Sequence, residues 1–287
     1  MEGTFKWQDL AKLVSHIVFC LTFLFVCGIS VSGAAVEVGF IYLGDKGAFT
    51  SPALEFAEKT FKTEQLAKAD LKSDTFKQFG VIWWHDGDAD PGGLSGAELD
   101  AFLDYAESGG AVLLTGAAIR YATPLGLENA QPRAFGPVEN DGSNVGIIVL
   151  KETLALGLVD GLKNVDGKTP QVEDWIQVNS TGYPVSGDYF DTIWENFTTL
   201  AHAWEGGTNY TDRIAAFGYW ETGDGKVFNM NWRLPNYHKN NKDIDQIQKL
   251  TENVINWLAS ESEFADVSAG GKLPIVWGQL KKSAIAP

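Results

Sequence analysis

The sequence predicts an α/β domain with an open, mostly parallel sheet, helices on both faces and a β-rich second half. In the first half, short apolar runs that favour strands alternate with helical patterns, which indicates parallel strands joined by right-handed crossovers. In the second half, several strand patterns follow one another, and a hairpin turn separates the last two. Of the 287 residues, roughly 250 follow Ala34, which is enough for one large α/β domain.

The N-terminal segment has the pattern of an export signal. A short polar start with two lysines precedes an apolar run over residues 17–31, and small residues follow this run. The run is shorter than the roughly 20 apolar residues that cross a membrane. We therefore expect a signal peptide over residues 1–34, a domain over 35–262 and a C-terminal tail over 263–287. This predicts a secreted or periplasmic protein, and an uncleaved N-terminal membrane anchor is the alternative.

Charge and cysteine content exclude several functions. The formal net charge is −15, and a strongly acidic surface repels both phosphate backbones and anionic lipid, so we expect no nucleic-acid binding. Both cysteines, Cys20 and Cys27, lie within the predicted signal peptide. Its removal would leave no thiol, which excludes disulfides, cysteine-ligated zinc and a cysteine nucleophile.

The first elements follow from apolar runs and turn signals. Residues 36–43 are apolar and β-branched and end at a glycine-rich turn, which predicts a first buried strand. Pro52 fits the first position of a helix, which we place at 52–62. Residues 79–84, which include two tryptophans, predict a second core strand.

The clearest helix begins after Ser95. Ser95 and Glu98 form a capping box, and apolar residues then recur at three- and four-residue spacing until the Gly109-Gly110 pair. Residues 111–115 follow as a strand, and Gly116 opens a tight turn into a short helix.

The second half contains more strands than helices. A glycine-rich hairpin turn lies at 223–225, and the final helix is expected at 243–259 because its apolar residues share one face. The predicted strands are 145–150, 175–178, 198–204, 214–220 and 226–231.

Several segments occur in an order that is typical of one superfamily. A strand that ends in His85 precedes the capped helix, a Gly-Gly pair leads into a strand and tight turn over 109–116, and a closing strand and helix lie at 225–231 and 255–258. This succession resembles the class I glutamine amidotransferase-like superfamily, and most closely its ThuA-like (trehalose utilisation-like) branch. The resemblance covers about residues 36–259 and implies a flavodoxin-like sheet.

The resemblance also shows where the chain departs from the amidotransferases. Their tight turn after the Gly-Gly strand carries a cysteine nucleophile, whereas the corresponding position here is Ala117. Alanine has no nucleophilic atom, so we expect no amidotransferase activity. His238 lies in the closing segment, where the amidotransferases have a catalytic histidine, but the surrounding residues do not match that motif.

Candidate binding residues lie where strands of the parallel sheet end. In open α/β sheets, ligands bind beyond the carboxyl ends of the strands. We expect His85, Asp86, Arg120 and Asn231 to surround one cleft, and the alternative for each is an ordinary solvated loop residue. The ligand-binding candidates are Asp45, His85, Asp86, Arg120, Asn231 and Trp232.

A carboxylate-rich turn gives a candidate metal site. Asp86, Asp88 and Asp90 alternate along the turn after the second strand, as carboxylates do at the start of a calcium loop. Pro91 replaces the glycine that a helix–loop–helix calcium site requires, so the expectation is a looser contact with Ca²⁺ or another divalent ion. The alternative is a solvated acidic turn.

Three functions compete. The first is a non-catalytic domain that binds a carbohydrate or another small polar ligand, because Trp232 lies beside amide residues and an indole can stack on a sugar ring. The second is a hydrolase or isomerase that acts on sugars through His85, Asp86 and His238, with or without a metal. The third is a structural or assembly module. The sequence leaves the ligand and the oligomeric state open.

Overall fold

The structure is a computed structural model, and it describes most of the chain after residue 34. All described residues belong to the compact unit that begins at Ala35. Among them, no helix has the length and apolar content needed to cross a membrane. The predicted signal peptide and nearly all of the predicted tail lie outside the described residues. The described ranges are 35–44, 46–86, 93–129, 137–138, 144–180, 185–186, 194, 196–230, 234 and 236–265.

The described elements alternate between strand and helix up to Gly116 and are mainly strands from there to the last helix. In chain order the strands are β1 (Glu37–Ile41), β2 (Lys62–Leu66), β3 (Val81–Asp86), β4 (Ala111–Gly116), β5 (Pro137–Val138), β6 (Asn144–Val149), β7 (Trp175–Ser180), β8 (Val185–Ser186), β9 (Thr198–Glu205), β10 (Thr208–Thr222) and β11 (Gly225–Met230). The helices are α1 (Thr50–Thr60), α2 (Ser73–Phe76), α3 (Gly96–Glu107), α4 (Lys151–Ala155) and α5 (Ile244–Glu261), with 3-10 helices at Lys68–Asp70 and Ala117–Ala122.

Nine strands form one mixed sheet in the order β2-β1-β3-β4-β11-β10-β9-β6-β7, and β5 pairs with β8 separately. The strands from β2 to β11 are parallel to one another. From β11 to β7 every pairing is antiparallel. The α/β class is thus confirmed. The prediction of a mostly parallel sheet holds only for the half of the sheet that contains β1, β2, β3, β4 and β11. The strands of the second half extend the same sheet in antiparallel order.

Two apolar clusters lie on opposite faces of the sheet. Trp83 belongs to one cluster and Trp84 to the other, because successive residues of a strand point to opposite faces. Residues of α1 and α5 pack in the cluster of Trp83, and residues of α3 pack in the cluster of Trp84. We call the side of Trp83 the first face and the side of Trp84 the second face.

The predicted helix after Ser95 is confirmed as α3, and both of its ends are anchored. The Ser95 main-chain N–H donates to Glu98 Oε2 at 2.5 Å, as the capping box predicts. At the other end, the hairpin turn between β10 and β11 packs on the helix backbone. Gly223 has φ +60°, and a Cβ there would lie 2.5 Å from the Glu107 carbonyl oxygen. The Asp224 N–H donates to that same oxygen at 3.1 Å.

Some elements differ from the sequence predictions. Strand β2 was not predicted because Lys62–Leu66 is largely polar and exposed, and its strand form depends on pairing with β1. Strand β10 runs over Thr208–Thr222 and is longer than the predicted 214–220. The short helix after Gly116 is a 3-10 helix.

Candidate functional site

The carboxyl ends of the parallel strands meet at one edge of the sheet, which we call the carboxyl edge. Because β1, β3, β4 and β11 run in the same direction, the residues that follow them are brought together there. Of the predicted site residues, the structure describes His85, Asp86, Ala117, Arg120 and His238. The other predicted site residues lie outside the described part of the chain, and they are Asp45, Asp88, Asp90, Asn231 and Trp232.

His85 is fully buried on the first face. Its Nδ1 lies 2.8 Å from Thr115 Oγ1, and its ring contacts those of Phe40, Trp83 and Tyr237 at centroid distances of 6.3, 6.0 and 5.4 Å. Asp86, the next residue, points to the second face, where it meets Trp84. The two side chains point to opposite faces of the sheet, because neighbouring residues of a strand alternate between faces. That His85, Asp86, Arg120 and Asn231 surround one cleft stays a prediction.

Asp86 is a buried carboxylate that holds the turn after β1. It is 2% exposed, and its Oδ1 accepts hydrogen bonds from the main-chain N–H groups of Leu43 at 2.9 Å and Gly44 at 3.2 Å. Its Oδ2 accepts from Trp84 Nε1 at 2.5 Å. Burial raises the pKa of Asp86, and the three hydrogen bonds and the charge of Arg120 oppose that rise. Asp86 thus positions the backbone of the turn and leaves little surface for a ligand.

The sharp bend after β4 lies at Gly116. Its φ of 63° and ψ of −141° are a conformation that glycine adopts far more readily than other residues. Ala117, which the sequence analysis compared with the cysteine of amidotransferases, is the first residue of the following 3-10 helix and is buried. Arg120 lies in that helix, half-buried, with its guanidinium 5.7 Å from the Tyr121 ring. Arg120 and Asp86 therefore share the carboxyl edge.

His238 belongs to a buried polar network. Its Nδ1 accepts a hydrogen bond from the Asn240 N–H at 3.2 Å, and its main-chain N–H donates to Asn236 Oδ1 at 3.0 Å. Asn236 Nδ2 in turn donates to Asn179 Oδ1 at 3.0 Å, which connects the loop before α5 to the end of β7. The network stabilises the loop, so His238 serves the fold here. The asparagines at 236, 240 and 241 were the signal for it in the sequence.

Asn229 is a buried polar residue that the sequence analysis did not single out. It lies in β11 between Leu114 of β4 and Gly218 of β10, and it is 0% exposed. Among the described residues, neither the oxygen nor the nitrogen of its amide has a hydrogen-bond partner. Val227, two residues earlier in the same strand, belongs to the apolar cluster of the second face, so Asn229 points to that face as well. An asparagine between Phe228 and Met230 in a strand pattern was the available signal.

A groove of about 470 Å³ lies at the carboxyl ends of β1 and β2. We call it the edge groove, and it is lined by Tyr42, Leu43, Gly44 and residues 65–68. Lys46 Nζ donates to Gln65 Oε1 at 2.8 Å and lies 5.0 Å from the centre of the Tyr42 ring. Gln65 was missed as a site residue because β2 was not predicted.

The described residues contain no group of three or more histidine, cysteine, aspartate or glutamate side chains arranged to hold a metal ion. Two of the three predicted ligands, Asp88 and Asp90, fall outside the described ranges. The third, Asp86, already accepts three hydrogen bonds. The calcium site thus stays a prediction.

Comparison with known proteins shows a fold likeness at low sequence identity. A ThuA-like protein from Bacteroides uniformis matches with a TM-score of 0.52 and 12% identity, over 82% of this chain and 96% of that one. A cytoplasmic protein from Salmonella typhimurium matches with a TM-score of 0.46 and 12% identity, over 77% of this chain and 99% of that one. A second cytoplasmic protein from that organism matches with a TM-score of 0.45 and 11% identity, over 78% of this chain and 98% of that one. No protein-family model and no curated protein matches the chain. The first likeness shows the α/β fold.

Proposed function

We propose that the chain is an exported, non-catalytic ThuA-like member of the class I glutamine amidotransferase-like superfamily that binds a carbohydrate or another small polar ligand. The order of motifs and the fold likeness to the ThuA-like protein support the family. Packing of α1 and α5 in one apolar cluster and of α3 in the other supports a flavodoxin-like arrangement. The apolar N-terminal segment supports export.

The roles of the polar residues at the carboxyl edge support a non-catalytic domain. His85 lies in an aromatic environment, Asp86 holds the turn after β1, and His238 belongs to the amide network that stabilises the loop before α5. The bend at Gly116 leads into Ala117 and Ala118, which carry no nucleophilic atom. A nucleophile next to a general base is the arrangement that covalent hydrolysis requires, and these residues do not provide it.

The edge groove is the observation that carries the ligand proposal. It lies beyond the carboxyl ends of β1 and β2, the end of the strands at which open α/β sheets bind ligands, and its volume of about 470 Å³ falls within the roughly 300–1,000 Å³ of small-molecule sites. Gln65 is oriented by two partners, because its Nε2 donates to Glu58 Oε1 at 2.9 Å and its Oε1 accepts from Lys46. Amide groups bond well to hydroxyls, and the Tyr42 ring offers an apolar face to a sugar ring.

Variants of the edge groove test the proposal. A glycan array identifies a binder, and its affinity is then measured for Tyr42→Ala and Gln65→Ala. Loss of an aromatic contact of about 0.5–1.5 kcal/mol corresponds to a loss of affinity of roughly twofold to tenfold. Gln78→Ala is the matched control, because Gln78 is an exposed glutamine away from the groove. Equal affinity of the groove variants and the control would contradict the proposed site.

A further inference from the structure

An ammonium group lies beside the two side chains of the edge groove that are suited to a sugar. Lys46 Nζ donates to Gln65 Oε1 at 2.8 Å and lies over the Tyr42 ring, 5.0 Å from its centre. Tyr42 and Gln65 both line the groove, and Lys46 itself is exposed to solvent. A ligand that contacts the Tyr42 ring and the Gln65 amide therefore comes close to the positive charge of Lys46.

The charge of Lys46 is not balanced by a carboxylate in the described part of the chain. Its contacts there are with neutral groups, the Gln65 amide oxygen and an aromatic ring. Lys68, which lines the groove, instead lies 3.7 Å from Glu98 Oε1 and donates to the Gly93 carbonyl at 2.8 Å. An ammonium group has three N–H donors, and Lys46 uses one of them for Gln65. The others are available to an acceptor on a ligand.

The carboxylates around the edge groove are bonded to the protein and do not line it. Glu58 and Asp70 each accept a hydrogen bond from a residue of the lining, Gln65 and Ala67 respectively. Asp86 is buried and holds the turn after β1. No carboxylate is among the residues that line the groove. The charged side chains that a ligand in the groove meets directly are therefore lysines.

The segment that forms the edge groove also differs in charge from the rest of the chain. All lining residues lie within residues 42–77, which contain six lysines and six acidic residues and so have no formal net charge. The whole chain has a net charge of −15, so this charge is carried by other segments. An anion is repelled less by this segment than by the acidic remainder of the chain.

We propose that the ligand of the edge groove is a sugar with one negative charge, carried by a uronate carboxylate or a sulfate group. The inference rests on the proposed carbohydrate ligand and specifies its class. The sugar ring packs beside Tyr42, its hydroxyl groups bond to the Gln65 amide, and the anionic group accepts a hydrogen bond from Lys46 Nζ. A neutral sugar makes the first two contacts but leaves the ammonium group without an anionic partner.

The test is a glycan array that carries oligouronates and sulfated oligosaccharides, each beside its neutral parent. The dissociation constants of the best acidic glycan and its parent are then measured in solution at low and high salt. We expect the acidic glycan to bind roughly twofold to fivefold more tightly at low salt, as is usual for an exposed ion pair. The difference should shrink at high salt. The uronate and sulfate members of the array decide which anionic group is preferred.

Two lysine variants show whether the preference comes from Lys46. Lys46→Gln should reduce the affinity ratio of the acidic glycan to its parent towards one and remove the salt dependence of that ratio. Lys59→Gln is the matched control, because it removes the same charge from an exposed lysine of α1 that does not line the groove, and it should keep the ratio.

The possible failures of the two proposals can be told apart. If the neutral parent binds as tightly as the acidic glycan, or if both lysine variants lose the preference equally, the inference about charge is overturned while the carbohydrate site stands. If no glycan on the array binds, the proposed carbohydrate function fails and the inference fails with it.

Discussion

Replacement of Asn229 by leucine should stabilise the protein. Asn229 is 0% exposed, and neither atom of its amide has a hydrogen-bond partner among the described residues. Leucine has the same number of side-chain heavy atoms and the same branching, so the substitution removes two polar atoms with a small change in shape. Its neighbours across the sheet are Leu114 and Gly218, which provide an apolar environment on the second face.

The magnitude follows from the cost of the unmade hydrogen bonds. A buried polar group without a partner costs about 1–3 kcal/mol. Asn229 has two such groups, so the gain in free energy of unfolding from Asn229→Leu has an upper bound of about 6 kcal/mol. The larger methyl groups must fit beside Phe197, which already fills the space over Gly218, and overpacking costs about 1–3 kcal/mol. We therefore expect a net gain of about 1–3 kcal/mol, which raises Tm by roughly 2–10 °C in a domain of this size.

The assay compares the free energy of unfolding in urea for the wild type, Asn229→Leu and a matched control. Asn236→Leu is that control, because Asn236 is also buried, at 1% exposure, but its amide donates to Asn179 and accepts from the His238 N–H. Loss of these bonds should destabilise the control by about 1–3 kcal/mol. If Asn229→Leu destabilises the protein as much as the control does, the Asn229 amide has partners and the argument is refuted.

Three further predictions concern pH, processing and metal. Burial raises the pKa of the Asp86 carboxyl group above its ordinary value of 3.8. The folded state therefore binds the carboxyl proton more tightly than the unfolded state does. As a result, the contribution of Asp86 to the free energy of unfolding should fall as pH rises from 3.8 to the raised pKa. The difference in unfolding free energy between wild type and Asp86→Asn, measured by urea denaturation across this range, should therefore decrease with pH, and an increase would contradict the assignment. The exported protein should begin near Ala35, which mass spectrometry checks, and an intact N-terminus in a membrane fraction would contradict it. If Asp86, Asp88 and Asp90 bind calcium, Ca²⁺ should raise Tm, EDTA should reverse the increase, and Asp88→Asn should abolish it. No change in Tm on addition of Ca²⁺ would contradict the predicted metal site.

Much of the parallel half of the fold could be predicted from local sequence signals. The capping box at Ser95, the apolar periodicity of α3 and the Gly109-Gly110 pair define the helix without reference to the rest of the chain. The buried strands β3 and β4 follow from continuous apolar runs. Strand β2 could not be predicted, since the residues of Lys62–Leu66 acquire strand form only by pairing with β1.

The candidate site was harder to predict than the fold. The structure extends β3 to Asp86, beyond the predicted end of that strand at residue 84, so the sequence did not show that His85 and Asp86 point to opposite faces. The role of Asp86 could not be predicted either, because it depends on main-chain N–H groups 42 and 43 residues earlier in the chain. Gln65 likewise becomes a site residue only when β2 is placed beside β1.

The central claim is that a small polar ligand binds in the edge groove without being turned over. The most direct measurement is an NMR titration of the folded protein with the best glycan from the array, with the products analysed at the end. We expect the main-chain resonance of Gly44 and the side-chain amide of Gln65 to shift with one common Kd, the side-chain amide of Gln78 to stay in place, and the glycan to be recovered unchanged. The account would be contradicted if the glycan were hydrolysed or isomerised, or if the resonances of Gly44 and Gln65 did not shift.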